Sequence, residues 1–261
     1  MHLFSYWHGP ITWAERLSIN TALGQGNTLT LFSPTAVEHR RAGLGVDVID
    51  AREVLDDDGA HTYAATFADQ FRLVGLEKQL GTWVDLDLIH VRPLPEQPYL
   101  YGFYRPLSVG NSVLRLPSDS PALREYSAIC GTRPLSLHLP WESWPARLHK
   151  NIKHLLIELT GVSPPLGPRL GPPALTHLLK KHDLTQHALP QDVFFPFASA
   201  EVTRENITNP GWIEGKITPR TCTVHLWKSC WNGVFGAAMP QVPWLLELVK
   251  EYDISESEAA E

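Results

Sequence analysis

The sequence predicts an α/β fold. Three observations carry that prediction. Short apolar runs read as strands, helical patterns lie between them, and the connections are only a few residues long. HLFSYW (2–7) reads as the first strand, and HGP follows as a turn. Thr12 to Leu23 reads as a helix with Trp13, Leu17, Ile19 and Leu23 as its apolar markers, closed by Gly24 and Gly26. NTLTLFSP (27–34) and VDVIDA (46–51) read as the second and third strands. Thr66 to Leu80 is the clearest helix: Thr66 can cap it with Asp69 three residues on, Leu73, Leu76 and Leu80 form one stripe, and Gly81 is placed to stop it.

The run TWVDLDLIHVRPL (82–94) reads as one continuous strand, mid-sheet by its apolar pattern. Regularity falls after Leu94. Strands are expected at Asn111–Leu116 and at CTVHLWKSCW (222–231). Helices are expected at 120–129, at about Pro145–Thr160, and at ALTHLLKKH after the Pro/Gly loop GPRLGPPA (167–174). Residues 251–261 form an acidic tail. No internal repeat is visible. One domain over 1–250 is expected, with a nucleotide-type half over about 1–120 and a more irregular helical half over about 121–250.

Composition narrows the class. The 261 residues are 43% hydrophobic and 19% charged, which is the balance of a globular chain with a real core. The formal net charge is -6 and the pI about 6.0, and no Lys/Arg cluster suits a polyanion, so a nucleic-acid partner is not expected. The three cysteines, Cys130, Cys222 and Cys230, match no zinc or redox spacing. No apolar run reaches transmembrane length, and MHLFSYWHGP lacks the basic and apolar regions of a signal peptide. A cytoplasmic enzyme is the expectation from those absences. The nine Trp and 22 Pro are high for this length; a Trp serves either core filling or stacking on sugars and bases.

Asp85 and Asp87 pose the chemical question. On a strand they share one face with Trp83, about 7 Å apart at a rise of about 3.3 Å per residue. Two carboxylates that close raise each other's pKa unless a cation lies between them. Hard oxygen ligands at a strand end suit Mg²⁺ or Mn²⁺. The bland alternative is a solvated face of an edge strand. Asp69 and Arg72, three apart, share one face of the preceding helix; they are also readable as a capping acid and its ion-pair partner. His177, His182 and His187, spaced by five, do not form a ligand pair on one helix face and read as surface or helix-end residues.

The block ATFADQFRLVGLEKQLGTWVDLDLIHVRPL resembles the signature of the DXD-containing sugar-binding glycosyltransferases. These are small α/β enzymes of the GT-A fold, among them alpha-1,4-glycosyltransferases, mannosyltransferases of the yeast outer-chain type and large clostridial toxins. The family pattern is an S-D-x-x-R helix followed by G-G-x-Y-x-D-x-D. This chain matches at Asp69, Arg72, Gly81, Asp85 and Asp87, and departs at Ala68, Leu80 and Trp83. FSYWHGPITWAERLSI resembles the family's opening strand, GNSVLRLPSDSPALREY the segment after the DXD strand, GPRLGPPALTHLLKKH its G-P-x-x-x-T loop, and HLW (225–227) its C-terminal motif. The resemblance covers about 1–120 well and 165–231 loosely.

The resemblance implies a GT-A-like domain with a Rossmann-like nucleotide-binding half and an irregular helical acceptor half. It implies a metal-dependent, retaining hexosyltransferase that moves sugar from a nucleotide sugar, a UDP-sugar foremost or GDP-mannose, to a glycan or glycolipid acceptor. The cofactor it implies is Mn²⁺ or Mg²⁺, held by Asp85, Asp87 and His225. Trp7 would stack on the nucleotide base. Asp69 would accept ribose or sugar hydroxyls, Arg72 would orient that carboxylate or touch the sugar, Asp85 would bind the metal or hold the donor, Asn111 would reach the donor sugar, and Trp227 would donate its indole N–H to a phosphate. The corresponding bland readings are core positions for Trp7 and Trp227, a turn residue for Asn111 and a backbone-bonded histidine for His225. The family implies no named nucleophile, and peripheral association with the inner face of a membrane follows from a lipid-linked acceptor.

Two other classes fit less of the sequence. A catalytically inactive carbohydrate- or nucleotide-sugar-binding protein would keep the Trp-rich contacts, but every charged group that turnover needs is present here. A haloacid-dehalogenase-like phosphatase also uses D-x-D on a strand, but its motif lies near the start of the core with Thr or Val following. A nicotinamide fold fails because Gly24 and Gly26 follow a helix instead of opening one.

Overall fold

Five strands form the central sheet in the order β3-β2-β1-β4-β8. They are β1 (His2–Tyr6), β2 (Thr28–Ser33), β3 (Asp47–Asp50), β4 (Thr82–Val84) and β8 (Val113–Leu114). The pairs β1–β2, β2–β3 and β1–β4 are parallel, and only β8 runs antiparallel, against β4. The fold is therefore mixed α/β on a mainly parallel sheet. The computed structural model describes residues 1–55, 64–130, 141–145, 147–148, 152, 171–236, 239 and 241–254.

Parallel strands need crossovers, and helices supply them here. The chain makes α1 (Trp13–Gly24) between β1 and β2, α2 (Ala36–Arg41) between β2 and β3, and α3 (Ala64–Glu77) before β4. Because helices cover both faces, Leu3 and Phe4, which point opposite ways from β1, are both fully buried. Phe4 packs with Phe71, Trp83, Leu123 and Leu175 on one side of the sheet. Leu3 packs with Leu29, Leu31, Val84 and Leu88 on the other. Helix α3 lies on β1 through Gly75, where a Cβ would stand 2.2 Å from the Phe4 ring.

After β2 and β3 step away on one side of β1, the chain returns to its other side as β4. Strand order thus reverses at the β1/β4 pair. In open α/β sheets that reversal leaves a crevice at the carboxyl ends of the two strands. Tyr6 and Trp7 leave the end of β1, and Asp85 leaves the end of β4.

Three expectations for this region need correction. The run 82–94 is two short strands. β4 ends at Val84, and β5 (Leu88–His90) pairs antiparallel with β9 (Thr223–His225) in a separate two-stranded sheet. Asp85 to Asp87 form the turn between the sheets, since a strand buried on both faces has no side on which to place charge. The expected strand 222–231 is strand only to His225; Lys228–Phe235 is a helix, α9. Thr66 lies inside α3, which runs from Ala64, so it is not the cap. The stop of α3 is Gln79 at φ 57°, with Leu80 N–H bonded back to Gly75 O at 2.9 Å, so the helix closes before Gly81.

The second half builds around this frame. A hairpin, β6 (Phe103–Arg105) and β7 (Ser108–Val109), precedes β8. α4 (Pro121–Cys130) and α5 (Pro172–Lys181) pack through Leu123, Tyr126, Leu175 and Leu178 onto the core that holds Phe4. Short helices α6 (Gln191–Phe194), α7 (Arg204–Thr208) and α8 (Trp212–Lys216) lead to β9. After α9, α10 (Pro243–Glu251) joins Trp13, Ile89, Val224 and Trp231 in a third apolar cluster. The helix expected at about 145–160 is described only in part, and residues 167–170 and the tail beyond 254 lie outside the described residues. No described helix is long and apolar enough to cross a membrane.

Candidate functional site

Three side chains converge at the β1/β4 crevice. One ligand atom each from Asp85, Asp87 and His225 lies within 4.8 Å of the others. Asp85 comes from the end of β4, Asp87 from the turn into β5, and His225 from the end of β9. The β5–β9 pairing sets Leu88 opposite His225, and Leu226 N–H donates to Asp87 O at 2.8 Å. That ladder brings a residue 138 positions along the chain beside the aspartates.

Each ligand is oriented by a neighbour. Oδ1 of Asp85 accepts from the Trp83 indole N–H at 2.7 Å and from Arg72 Nη2 at 3.0 Å. Oδ2 of Asp87 accepts from the Lys228 backbone N–H at 3.1 Å, and its Oδ1 faces His225 Nε2 at 3.5 Å. His225 Nδ1 accepts from the Trp227 backbone N–H at 3.0 Å, which leaves Nε2 as the atom aimed at the carboxylates.

A second set stands behind them. Arg72 Nη1 donates to Asp69 Oδ1 at 2.6 Å, and the Asn111 side-chain amide donates to the same oxygen at 3.1 Å. Arg72 also lies over the Trp83 ring, 4.5 Å from its centroid. Asp69, Arg72 and Asn111 are all buried. Gly171, from the stretch GPPALT at the start of α5, adds no side chain against Asp69 and Asn111; a Cβ there would sit 3.6 Å from Asp69 Oδ2. The i,i+3 spacing of Asp69 and Arg72 is therefore an ion pair that also reaches Asp85.

Among the described residues the charges of the site do not balance. Burial pushes the Asp87 carboxyl above the ordinary carboxylate range; His225 pulls it back and Asp85 pushes it further. Burial also pushes Asp69 up, against the Arg72 charge and the Asn111 amide. Arg72, though desolvated, is held protonated by Asp85 and Asp69. With Glu15, the site holds four carboxylates against the two fixed cations Arg72 and Lys228. Among the described residues, two negative charges are unmatched when all four carboxylates are ionised and His225 is neutral. A donor set of two carboxylates and one imidazole, with that charge deficit, fits a divalent cation.

Beside the triad is a cleft of about 430 Å³, lined by Trp7, Arg72, Asp85, Asp87 and Lys228 among others. Trp7 is partly exposed there, its indole N–H bonded to Pro10 O at 3.0 Å. Trp227 packs its ring against His225, 4.2 Å between centroids; its backbone is left-handed at φ 57°, and its indole N–H donates to Phe197 O at 3.1 Å. A phosphate contact from that N–H would need the Phe197 bond broken. The structure thus gathers Trp7, Asp69, Arg72, Asp85, Asp87, Asn111 and His225 into one region, with Trp227 packed against His225 and its indole N–H turned to Phe197.

Trp83, Lys228 and Glu15 belong to the same region and were not among the candidate site residues. Trp83 carried a signal, sharing the aspartates' face. Thr12–Glu15 had one too, as a T-x-x-E capping box. Nothing in the sequence marks Glu15 as fully buried or places Lys228 against it.

No family model matches this chain, and no curated protein matches it. Among solved structures the chain is similar to one described as a PaToxG glycosyltransferase. The two are 14% identical over 69% of this chain and 67% of that chain, with a TM-score of 0.36. At that score and identity the likeness says nothing about activity.

Proposed function

We propose that the chain is a metal-dependent glycosyltransferase that moves a hexose from a nucleotide sugar, a UDP-sugar foremost, to a glycan or glycolipid acceptor. The observation that carries the reading is the convergence of Asp85, Asp87 and His225 within 4.8 Å, beside a cleft at the reversal point of a mainly parallel sheet. Asp85, Asp87 and His225 would hold the cation, Mn²⁺ ahead of Mg²⁺ because one ligand is an imidazole. Bound there, the cation supplies charge neutralisation for a diphosphate leaving group.

The chain's own residues do the rest. Trp7 offers an aromatic face in the cleft for the nucleobase. Arg72 holds Asp69 and Asp85 at fixed separation, so the carboxylates are set before the donor arrives. Asp69 and Asn111 supply a carboxylate and an amide for ribose or sugar hydroxyls, a pairing that discriminates polar groups strongly when buried. The retaining outcome rests on the sequence resemblance alone.

The test is release of free nucleotide from a panel of nucleotide sugars with Mn²⁺, with a chelator and Asp87→Asn as controls. Turnover of one donor, abolished by both controls, is expected. Metal-dependent binding without release supports the inactive binding protein instead. The absence of both binding and release overturns the transferase reading.

A further inference from the structure

We propose that Glu15 is a positioning residue for the metal site, acting through Lys228. The inference rests on the reading of Asp85, Asp87 and His225 as metal ligands. It concerns a fully buried carboxylate on α1 that contributes no ligand.

Glu15 does two jobs with its two oxygens. Oε2 accepts from Thr12 N–H at 2.8 Å and from Thr12 Oγ1 at 2.6 Å, which closes the capping box of α1. A capping acid needs no more than that, and it works at a helix surface. The other oxygen, Oε1, forms an ion pair with Lys228 Nζ, from a residue 213 positions away. Lys228 Nζ also lies 3.1 Å from Thr12 Oγ1 and 4.9 Å from the centroid of the Trp7 ring.

Lys228 is where this tether meets the site. It is the first residue of α9, so its charge faces the positive end of that helix, the unfavourable sense. Glu15 is the partner that makes this placement tolerable. The backbone N–H of Lys228 clamps Asp87 Oδ2. The residue before it, Trp227, sits at φ 57°, a region a bulky side chain rarely adopts, and its N–H holds His225 Nδ1. A turn in that conformation persists only when its surroundings over-determine it. The Glu15–Lys228 pair is the charged tie that fixes the turn to α1, and two of the three metal ligands take their orientation from that turn.

The experiment compares Mn²⁺ binding by wild type, Glu15→Gln, Lys228→Met, Lys228→Arg and the Glu15→Gln/Lys228→Met double variant. Free Mn²⁺ is read by its EPR signal, well below each variant's melting temperature as set by circular dichroism. Loss of a group that orients ligands typically costs roughly 10–100-fold in metal affinity, and that loss is expected for Glu15→Gln and for Lys228→Met. Lys228→Arg, which keeps the charge, recovers most of it. The double variant binds no more weakly than the weaker single, because both changes cut one link. A helix-capping role alone would lower the melting temperature and leave Mn²⁺ affinity in the folded protein unchanged. If Glu15→Gln does not fold, Lys228→Met decides, since it leaves the capping box intact. A folded Glu15→Gln or Lys228→Met protein that binds Mn²⁺ as tightly as wild type overturns the proposal. A wild-type chain that takes up no Mn²⁺ overturns the metal reading itself, and this proposal with it.

Discussion

The indole N–H of Trp83 donates to Asp85 Oδ1 at 2.7 Å, and Arg72, seated over the same indole ring, donates to that oxygen too. Trp83 is almost wholly buried, so its ring position is set by the core and not by the cleft. The core thereby dictates where a cleft carboxylate points.

Trp83→Phe separates these roles. Phe keeps most of the buried volume and removes the N–H. Asp85 keeps Arg72 but loses one of its two restraints. Mn²⁺ affinity should fall by about tenfold, at the low end of the range for groups that orient ligands. A Mn²⁺ titration followed by EPR measures it. Unchanged affinity in a folded variant would mean that Arg72 alone orients Asp85.

Asp87 should cost the metal-free protein stability. Burial raises its native pKa above the unfolded value, so the native state holds the proton more tightly. The stability this contributes is present below the unfolded carboxylate value and is lost as pH rises through the native one. At neutral pH the charged form is a liability until a cation arrives. Asp87→Asn should therefore melt above wild type in chelator, with the order reversed in Mn²⁺. At a hundredfold excess over its dissociation constant the ion adds about 2.7 kcal/mol to a protein that binds it. Scanning fluorimetry with chelator and with Mn²⁺ reads both halves. A variant less stable than wild type in both conditions would mean that Asp87 is structural.

The parallel strands and the helices α1 and α3 were legible because short apolar runs alternate there with helical spacing, whereas the six-residue α2 (Ala36–Arg41) is too short to show a helical period. The core reads directly from Leu3, Phe4, Leu29 and Leu31. The break at Asp85 was not legible, since Val84 to Leu88 alternates as a strand would. Only the pairing of Leu88 with His225, set by tertiary packing, moves the second half of that run into another sheet. Likewise His225–Leu226–Trp227 looks like continued strand, but Trp227 turns left-handed and starts α9. Asp69 with Arg72 was visible as a spacing; that the same guanidinium also reaches Asp85 depends on how α3 lies against β4.

His90 should make the protein acid-sensitive. Its ring is buried, and neither ring nitrogen has a hydrogen-bond partner among the described residues. Burial lowers its pKa to about 4 from 6.5. The unfolded chain protonates first, so stability is full above the unfolded value and declines as pH falls from about 6.5 toward 4. At about 1.36 kcal/mol per unit, the loss approaches about 3 kcal/mol. His90→Leu should flatten that decline, as read from urea midpoints at about pH 7 and about pH 4.5. An equal decline in wild type and variant would assign the acid sensitivity to other groups.

Gly75 lets α3 lie close on β1, and α3 carries Asp69 and Arg72. A Cβ at this position would come within 2.2 Å of Phe4 Cε2 and 2.6 Å of Cζ, so either the ring or the helix must move. Alanine gains about 1 kcal/mol of helix propensity over glycine. Overpacking a tight core costs about 1–3 kcal/mol. Gly75→Ala should therefore lose up to about 2 kcal/mol net by urea denaturation, and weaken Mn²⁺ binding by displacing Arg72 from Asp85. Phe4→Leu shortens the obstructing ring. In the double variant the two costs should sum to less than the singles predict, by at least about 0.5 kcal/mol, because one substitution relieves the clash of the other. Strict additivity would mean that α3 absorbs the methyl without meeting Phe4, and that the close approach at Gly75 does not set the position of Arg72.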